Sequence, residues 1–300
     1  VTEAAAFAGA IAKPRAFLRL VKIEHSVFAL PFAYVAALAA GFRVSESVHW
    51  AHLVLVTVAM VAARTFAMAA NRIIDRKIDA QNPRTATREL VTGEVAVRTA
   101  VIGSVVALVV FLAAAAALGW LCLVLAPAAV VPLVVYPYAK RFTDFPQAVL
   151  GIAQAVAPIG AWIAITGHWS WAAVVLGLAV GAWIGGFDLI YACQDVEVDR
   201  RIGVRSVPAR FGVRAALVAS IVVHVVTFGL FVAFGAMERF GAWWWVGIAL
   251  TAVAFGYEHA IVRPGDLSRV NRAFFTANGF VGIALFVFAL ADLIVRGLHG

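Results

Sequence analysis

Two short stretches of this chain carry most of its chemistry. The first, NRIIDRKID, sets Asn71, Asp75 and Asp79 at steps of four; the second, FDLIYACQDVEVD, sets Asp188, Asp195 and Asp199 at steps of seven and four. In a helix of about 3.6 residues per turn, a four-residue step drifts by only about 40°, and offsets of seven and eleven return to within about 20° of the start. Each trio is therefore predicted to share one helix face, whereas Glu197 points away from its own. Six oxygen-bearing side chains form a hard donor set, which suits Mg²⁺ with a phosphate and water completing its shell. Bases follow both trios: Arg84 and Arg88 after the first; Arg200, Arg201, Arg205 and Arg210 after the second. Acid for a metal beside base for anionic oxygens is a means of holding a diphosphate. Any one of these aspartates could simply mark a helix end. Their recurrence 120 residues apart, each time leading into an arginine-rich loop, favours one shared site.

The elements that position these residues follow from composition. Of 300 residues, 64% are hydrophobic and 13% charged, with a mean hydropathy of +0.95. A soluble domain is about 45–50% apolar and about 25% charged, so the chain has too little polar surface for water, and it is too apolar for disorder. An all-α integral membrane protein is expected, as a single transmembrane domain over 1–300. Nine helices are predicted near 26–42, 50–73, 99–118, 120–138, 148–166, 170–193, 213–236, 242–260 and 273–295. The apolar runs are about twice the length of barrel strands and do not alternate. The boundary at Gly119-Trp120 interrupts an almost continuous apolar stretch, and Pro127, Pro132 and Pro137 are expected to distort the fourth helix. Cys122 and Cys193 have neither disulfide nor zinc spacing. The N-terminal stretch lacks a signal-peptide pattern; Lys13, Arg15, Arg19 and Lys22 around Phe17, Leu18 and Leu20 predict a short surface helix.

The bases test this map. Twenty of the 24 Lys and Arg residues lie in the N-terminal segment or after the second, fourth, sixth and eighth helices. Arg43, Arg239 and Arg296 fall on the other side, and Arg64 lies within the second helix. The positive-inside bias places the N-terminus and both acidic sites in the cytoplasm and the C-terminus outside. The net charge of +8 thus reads as membrane topology, with no nucleic-acid partner. Each trio closes the second helix of a four-helix set, so helices 1–4 and 5–8 read as a pseudo-repeat with a ninth added.

With these motifs in place, the chain resembles the UbiA superfamily of intramembrane aromatic prenyltransferases. The NxxxDxxxD motif of that family matches Asn71/Asp75/Asp79, and its DxxxD motif matches Asp195/Asp199. The likeness continues through RTATREL (84–90), YPYAKRFTDFPQ (136–147) and QDVEVDRRIGVRSVPARFG (194–212). Many members carry an acid directly after the asparagine; here it is Arg72. The resemblance implies Mg²⁺ held by Asn71, Asp75, Asp79, Asp195 and Asp199, binding a polyprenyl diphosphate in a bacterial inner (cytoplasmic) membrane. Asp75, Asp195 and Asp199 then act in catalysis, with Asp188 deeper, stabilising an allylic cation or taking the ring proton of a small aromatic acceptor. Lys140 and Arg141, following Tyr136, add donors to the diphosphate, as do Arg84, Arg88 and Arg205. Arg64 either pairs with an aspartate or binds an acceptor carboxylate.

The segments 22–38 and 187–212 look most like the 4-hydroxybenzoate branch, on a ubiquinone or menaquinone pathway; dihydroxynaphthoate, haem and phosphoribose are the rival acceptors. A transporter is the alternative of another class, but transporters place their sites at the midplane. A lipid phosphotransferase lacks its usual Asp- and Gly-rich run here. Lys22, Glu24 and His25 read as interfacial or as part of the acceptor pocket. Glu258 and His259 read as interfacial, and Trp243–Trp245 as an aromatic belt.

Overall fold

The computed structural model describes residues 16, 17, 19–21 and 29–300. Among them the chain is helical, with only two isolated bridges, Ser47–His299 and Arg263–Asp266. Nine long helices follow in order: α1 Leu30–Ser45, α2 Trp50–Asp79, α3 Val97–Leu118, α4 Trp120–Phe142, α5 Pro146–Thr166, α6 Trp171–Ala192, α7 Val213–Met237, α8 Ala242–Ile261 and α9 Asn278–Val295. Each overlaps one of the nine expected helices in position. Seven helices are long and apolar enough to cross a bilayer, and α1, at 16 residues, is shorter. Lys13, Arg15, Leu18, Lys22, Glu24 and His25 lie outside the described residues.

Local chemistry sets several boundaries. α5 opens on Pro146, whose missing N–H costs nothing in a first turn. α6 opens on Ser170, whose hydroxyl accepts the Ala172 N–H at 3.2 Å. A single residue, Gly119, separates α3 from α4 at φ 138°, a conformation that a side chain rarely adopts. α4 remains one helix through its three prolines.

α2 packs along α3 as α6 packs along α7, and α3–α4 echoes α7–α8, so part of the expected pseudo-repeat recurs in the packing. The symmetry fails between the first and second helix of each set: α1 only grazes α2, whereas α5 and α6 lie in extended contact. Glycine is the cause. A Cβ on Gly181 would stand 2.5 Å from the Gly151 carbonyl oxygen, and one on Gly177 2.5 Å from that of Ala155. Small residues let helix backbones touch where lipid supplies no hydrophobic drive. α1 packs on α5, and α9 closes against α1 and α8. The outer faces of α3 (Val101, Val105, Val109) and α7 (Val218, Val222, Val225) remain exposed apolar stripes, as a lipid-facing surface requires.

The turn over residues 19–21 does not present its apolar side to a membrane surface. Leu20 and Val21 are buried against Ala69, Leu90 and Val95, and Arg19 pairs with Glu94. Burying those two side chains on the bundle end removes more apolar area from water than an interfacial position would.

Candidate active site

α2 continues unbroken past its expected end at 73 as far as Asp79, so Asn71, Asp75 and Asp79 sit on one helix face. The Asn71 amide nitrogen donates to Asp75 Oδ2 at 3.3 Å. Asp75 is buried and meets two bases from the end of α4: Lys140 Nζ is 2.6 Å from Oδ2, and Arg141 Nη1 is 3.1 Å from Oδ1. Oδ1 nevertheless accepts no well-directed hydrogen bond; Arg141 instead donates to the carbonyls of Pro137 and Ile74, tying α4 to α2. Asp79, also buried, pairs with Arg88 at 2.6 Å.

The second acidic stretch departs from the uniform helix assumed for it. α6 ends at Ala192, a 3₁₀ turn covers Cys193–Asp195, and a separate helix runs over Val196–Ile202. A 3₁₀ turn advances about 120° per residue rather than about 100°, so three such residues swing the downstream helix by roughly 60°. Across this break Asp188 lines the main cavity, whereas Asp199, on the separate helix, borders a surface depression. Asp195 is held by the loop after α2: Asn82 donates to Oδ1 at 2.8 Å, and Arg84 contacts both oxygens, with Nε at 2.9 Å from Oδ1. The same guanidinium donates to the Tyr191 hydroxyl at 3.0 Å and lies over its ring. Burial works against the Arg84 charge, but the hydrogen bond to Asp195 and the surrounding anions raise its pKa overall. Asp199 accepts from the Ser206 hydroxyl at 3.1 Å. Glu197 is exposed, as expected.

A cavity of about 550 Å³ opens between these two ends. Asn71, Arg64, Arg84, Arg88, Tyr136 and Asp188 line it together. Its deeper wall is apolar, reaching Phe111, Leu118 and Leu125 on α3 and α4. Asp75, Asp79, Asp195, Lys140 and Arg141 are not on the lining; the three aspartates stand one contact behind it, each paired with a base or amide. Asp199 and Arg205 lie in a separate surface depression with Asp144 and Arg210. There Arg205 grips Asp144 through Nε and Nη2, at 2.8 and 3.1 Å, and donates to the Phe142 carbonyl. This hydrogen bond holds the Asp144 carboxyl below the usual carboxylate range. Arg205 thus stands apart from the main cavity, with its fork on Asp144.

Two further expectations change. Glu258, read as interfacial, is fully buried, and His259 beside it is half-buried. Trp243 and Trp245 are exposed as a belt requires, but Trp244 is core, stacked on Phe240 at 4.8 Å. Sequence reasoning missed Asn82, Tyr191 and Asp144. Asn82 precedes Pro83, a pairing that reads as turn initiation, and nothing local discloses that its amide reaches Asp195.

The donor chemistry fits Mg²⁺. All the acidic-site donors are oxygens, and the buried Asp75 Oδ1 lacks a hydrogen bond. Among the described residues, these aspartates do not bring three ligand atoms within 4.8 Å of one another. An ion here would draw on phosphate oxygens and water as well, which is how Mg²⁺ is ordinarily bound.

A bundle of apolar helices with a polar-rimmed, apolar-walled cavity between two aspartate-bearing helix ends defines an intramembrane enzyme. The UbiA prenyltransferase family model matches residues 29–280, and the chain belongs to that family. It is similar to a 4-hydroxybenzoate octaprenyltransferase of Pseudomonas fluorescens (30% identity, covering 94% of this chain and 96% of that one). A 4-hydroxybenzoate octaprenyltransferase of Aromatoleum aromaticum is 32% identical over 93% and 94% of the two chains. Among solved structures, a UbiA homologue of Aeropyrum pernix in the apo state superposes with a TM-score of 0.79 at 34% identity, covering 91% of this chain and 98% of that one. A UbiA homologue of Archaeoglobus fulgidus bound to GPP and Mg²⁺ shares the fold with a TM-score of 0.71 at 22% identity, over 93% and 99%.

Proposed function

We propose that this enzyme transfers a polyprenyl group from its diphosphate to 4-hydroxybenzoate in quinone biosynthesis, with Mg²⁺ at the aspartate-bearing ends of α2 and α6. The observation that carries this reading is the cavity itself, whose rim joins Arg84 and Arg88 to the acidic residues while its interior is apolar. Relatives named for this reaction, similar over nearly the whole chain, support the acceptor.

Asn71, Asp75, Asp79, Asp195 and Asp199 would hold the metal. Bound there, Mg²⁺ supplies Lewis-acid neutralisation of charge on the leaving diphosphate. Arg84 and Arg88 line the cavity and now balance Asp195 and Asp79; they are placed to turn toward diphosphate oxygens. Lys140 and Arg141 balance Asp75 from the end of α4, behind the lining, and Tyr136, one turn earlier, lines the cavity. The prenyl tail runs along the apolar wall toward Phe111 and Leu125. Arg64, which lines the cavity as Asp188 does, is the base assigned here to the carboxylate of the acceptor. The bond from the first prenyl carbon to diphosphate oxygen breaks, a ring carbon bonds to the allylic cation, and the ring gives up a proton. Asp188 is the carboxylate positioned to stabilise that cation and accept the proton.

An assay of membranes with Mg²⁺, a polyprenyl diphosphate and a panel of aromatic acids tests this. Prenylated 4-hydroxybenzoate and released diphosphate are expected. Product only with dihydroxynaphthoate would reassign the acceptor, and neither product nor diphosphate release with any acid would overturn the enzyme.

A further inference from the structure

A second cluster of ligating side chains lies where α7, α8 and the start of α9 meet beside α6, and no part of it lines the prenyl-transfer cavity. His224 on α7 and Glu258 on α8 are buried, and His259 on α8 is half-buried. One ligand atom from each falls within 4.8 Å of the other two.

The hydrogen bonds around these residues determine which atoms are available. His224 Nε2 is 3.3 Å from the Trp183 carbonyl oxygen. A carbonyl only accepts, so Nε2 carries the proton and the neutral ring turns a lone pair on Nδ1 the other way. That lone pair faces His259 Nε2 at 2.9 Å and Glu258 Oε2 at 3.6 Å. Oε2 itself accepts no hydrogen bond, although it is buried. A buried carboxylate oxygen beside an imidazole lone pair is costly unless a proton or a metal cation lies between them, and the site offers a place for either.

The surroundings hold this geometry. Glu258 Oε1 accepts from Asn278 Nδ2 at 2.8 Å, and Asn278 Oδ1 accepts from Trp183 Nε1 at 2.8 Å. Phe255 stacks on the His224 ring at 4.5 Å. A Cβ on Gly186 would lie 2.5 Å from His224 Nε2, so the glycine is what seats the ring against α6. Asn278 is delivered by a π-helical turn, Ala273–Ala277, a distortion that recurs at functional sites. A ligating histidine whose second nitrogen donates to a carbonyl, and a ligating carboxylate whose second oxygen is hydrogen-bonded, make up the usual outer shell of a metal.

We propose that His224, Glu258 and His259 bind a zinc-class divalent cation at a site separate from the Mg²⁺ site. Two imidazoles with one carboxylate select zinc or a neighbouring transition metal over Mg²⁺, and three protein ligands leave a fourth position open. Tetrahedral bonds of about 2.05 Å place two ligand nitrogens about 3.3 Å apart, so the imidazole pair opens by a few tenths of an ångström on binding. Partly exposed His259 offers the ion its way in.

The test uses the full chain purified in detergent, stripped with a chelator and reloaded with Zn²⁺ or Co²⁺ alone. The Asp75→Asn/Asp195→Asn background separates this site from the acidic one. One equivalent of Zn²⁺ retained after desalting, visible d–d absorption with Co²⁺, and a Zn²⁺-dependent rise in Tm are expected there. His259→Ala and Glu258→Gln should each lose the equivalent and the Tm response, while His259→Cys, which restores a zinc ligand, should recover both. Because His259 is half-exposed, its variants keep the test sound if changes at His224 prevent folding. No retained ion in that background, leaving the cluster as a hydrogen-bonded network alone, would overturn the proposal; so would retention undiminished in His259→Ala.

Discussion

Asp195 and Glu197 stand two residues apart, yet the first is gripped by Asn82 and Arg84 while the second projects outward. Removing a carboxylate from the gripped position leaves the Arg84 charge without its counter-ion and deletes an oxygen of the proposed Mg²⁺ site, and a group acting directly in catalysis commonly accounts for about 10²–10⁴-fold in rate. Asp195→Ala and Asp75→Ala are therefore expected to lower turnover by at least about 10³-fold, with Glu197→Ala within about twofold of wild type because exposed changes away from such features have little effect. Steady-state diphosphate release from each purified variant checks this, and an equal loss in all three would show that the distinction between gripped and exposed carboxylates is wrong. Much of this was readable from spacing along α2, where one uninterrupted helix makes the face arithmetic hold. It was not readable at Asp199, which a 3₁₀ turn passes to a separate helix, where it accepts from Ser206 and borders a different depression from Asp188.

At the scale of elements, the close seating of α5 on α6 positions Asp188 in the cavity wall. Gly151, Gly177 and Gly181 bring the two backbones into contact, and any side chain at Gly181 meets the Gly151 carbonyl oxygen. Gly181→Val should destabilise the bundle by about 1–3 kcal/mol through overpacking and reduce activity by tilting α6. Gly160→Ala, on the same helix as Gly151 but with open space at its Cβ, should be close to neutral. Thermal unfolding in detergent measures both; equal midpoints for the two variants would remove the close-approach argument. Helix existence was legible from apolar length. The intimacy of one helix pair was not, since the glycines on α6 could have faced lipid or a neighbour equally well.

Over the whole molecule, the asymmetry of basic residues predicts that the acidic ends of α2 and α6 face the cytoplasm. In a variant lacking Cys122 and Cys193, a reporter cysteine at Gln81 should be shielded from a membrane-impermeant thiol reagent in intact cells, whereas one at Arg239, in the α7–α8 connection, should react. The reverse pattern would invert the orientation.

Composition and apolar periodicity were sufficient for the all-helical membrane class, because lipid leaves a backbone little choice but a helix. Local spacing was sufficient for the α2 motif. Which base meets which acid, that Arg205 turns to Asp144, and that His224 and Glu258 meet inside the bundle were settled only when distant segments packed. Apart from Arg88 with Asp79, such pairings join residues 34 to 111 apart in the sequence, and no periodicity within one helix encodes the position of another.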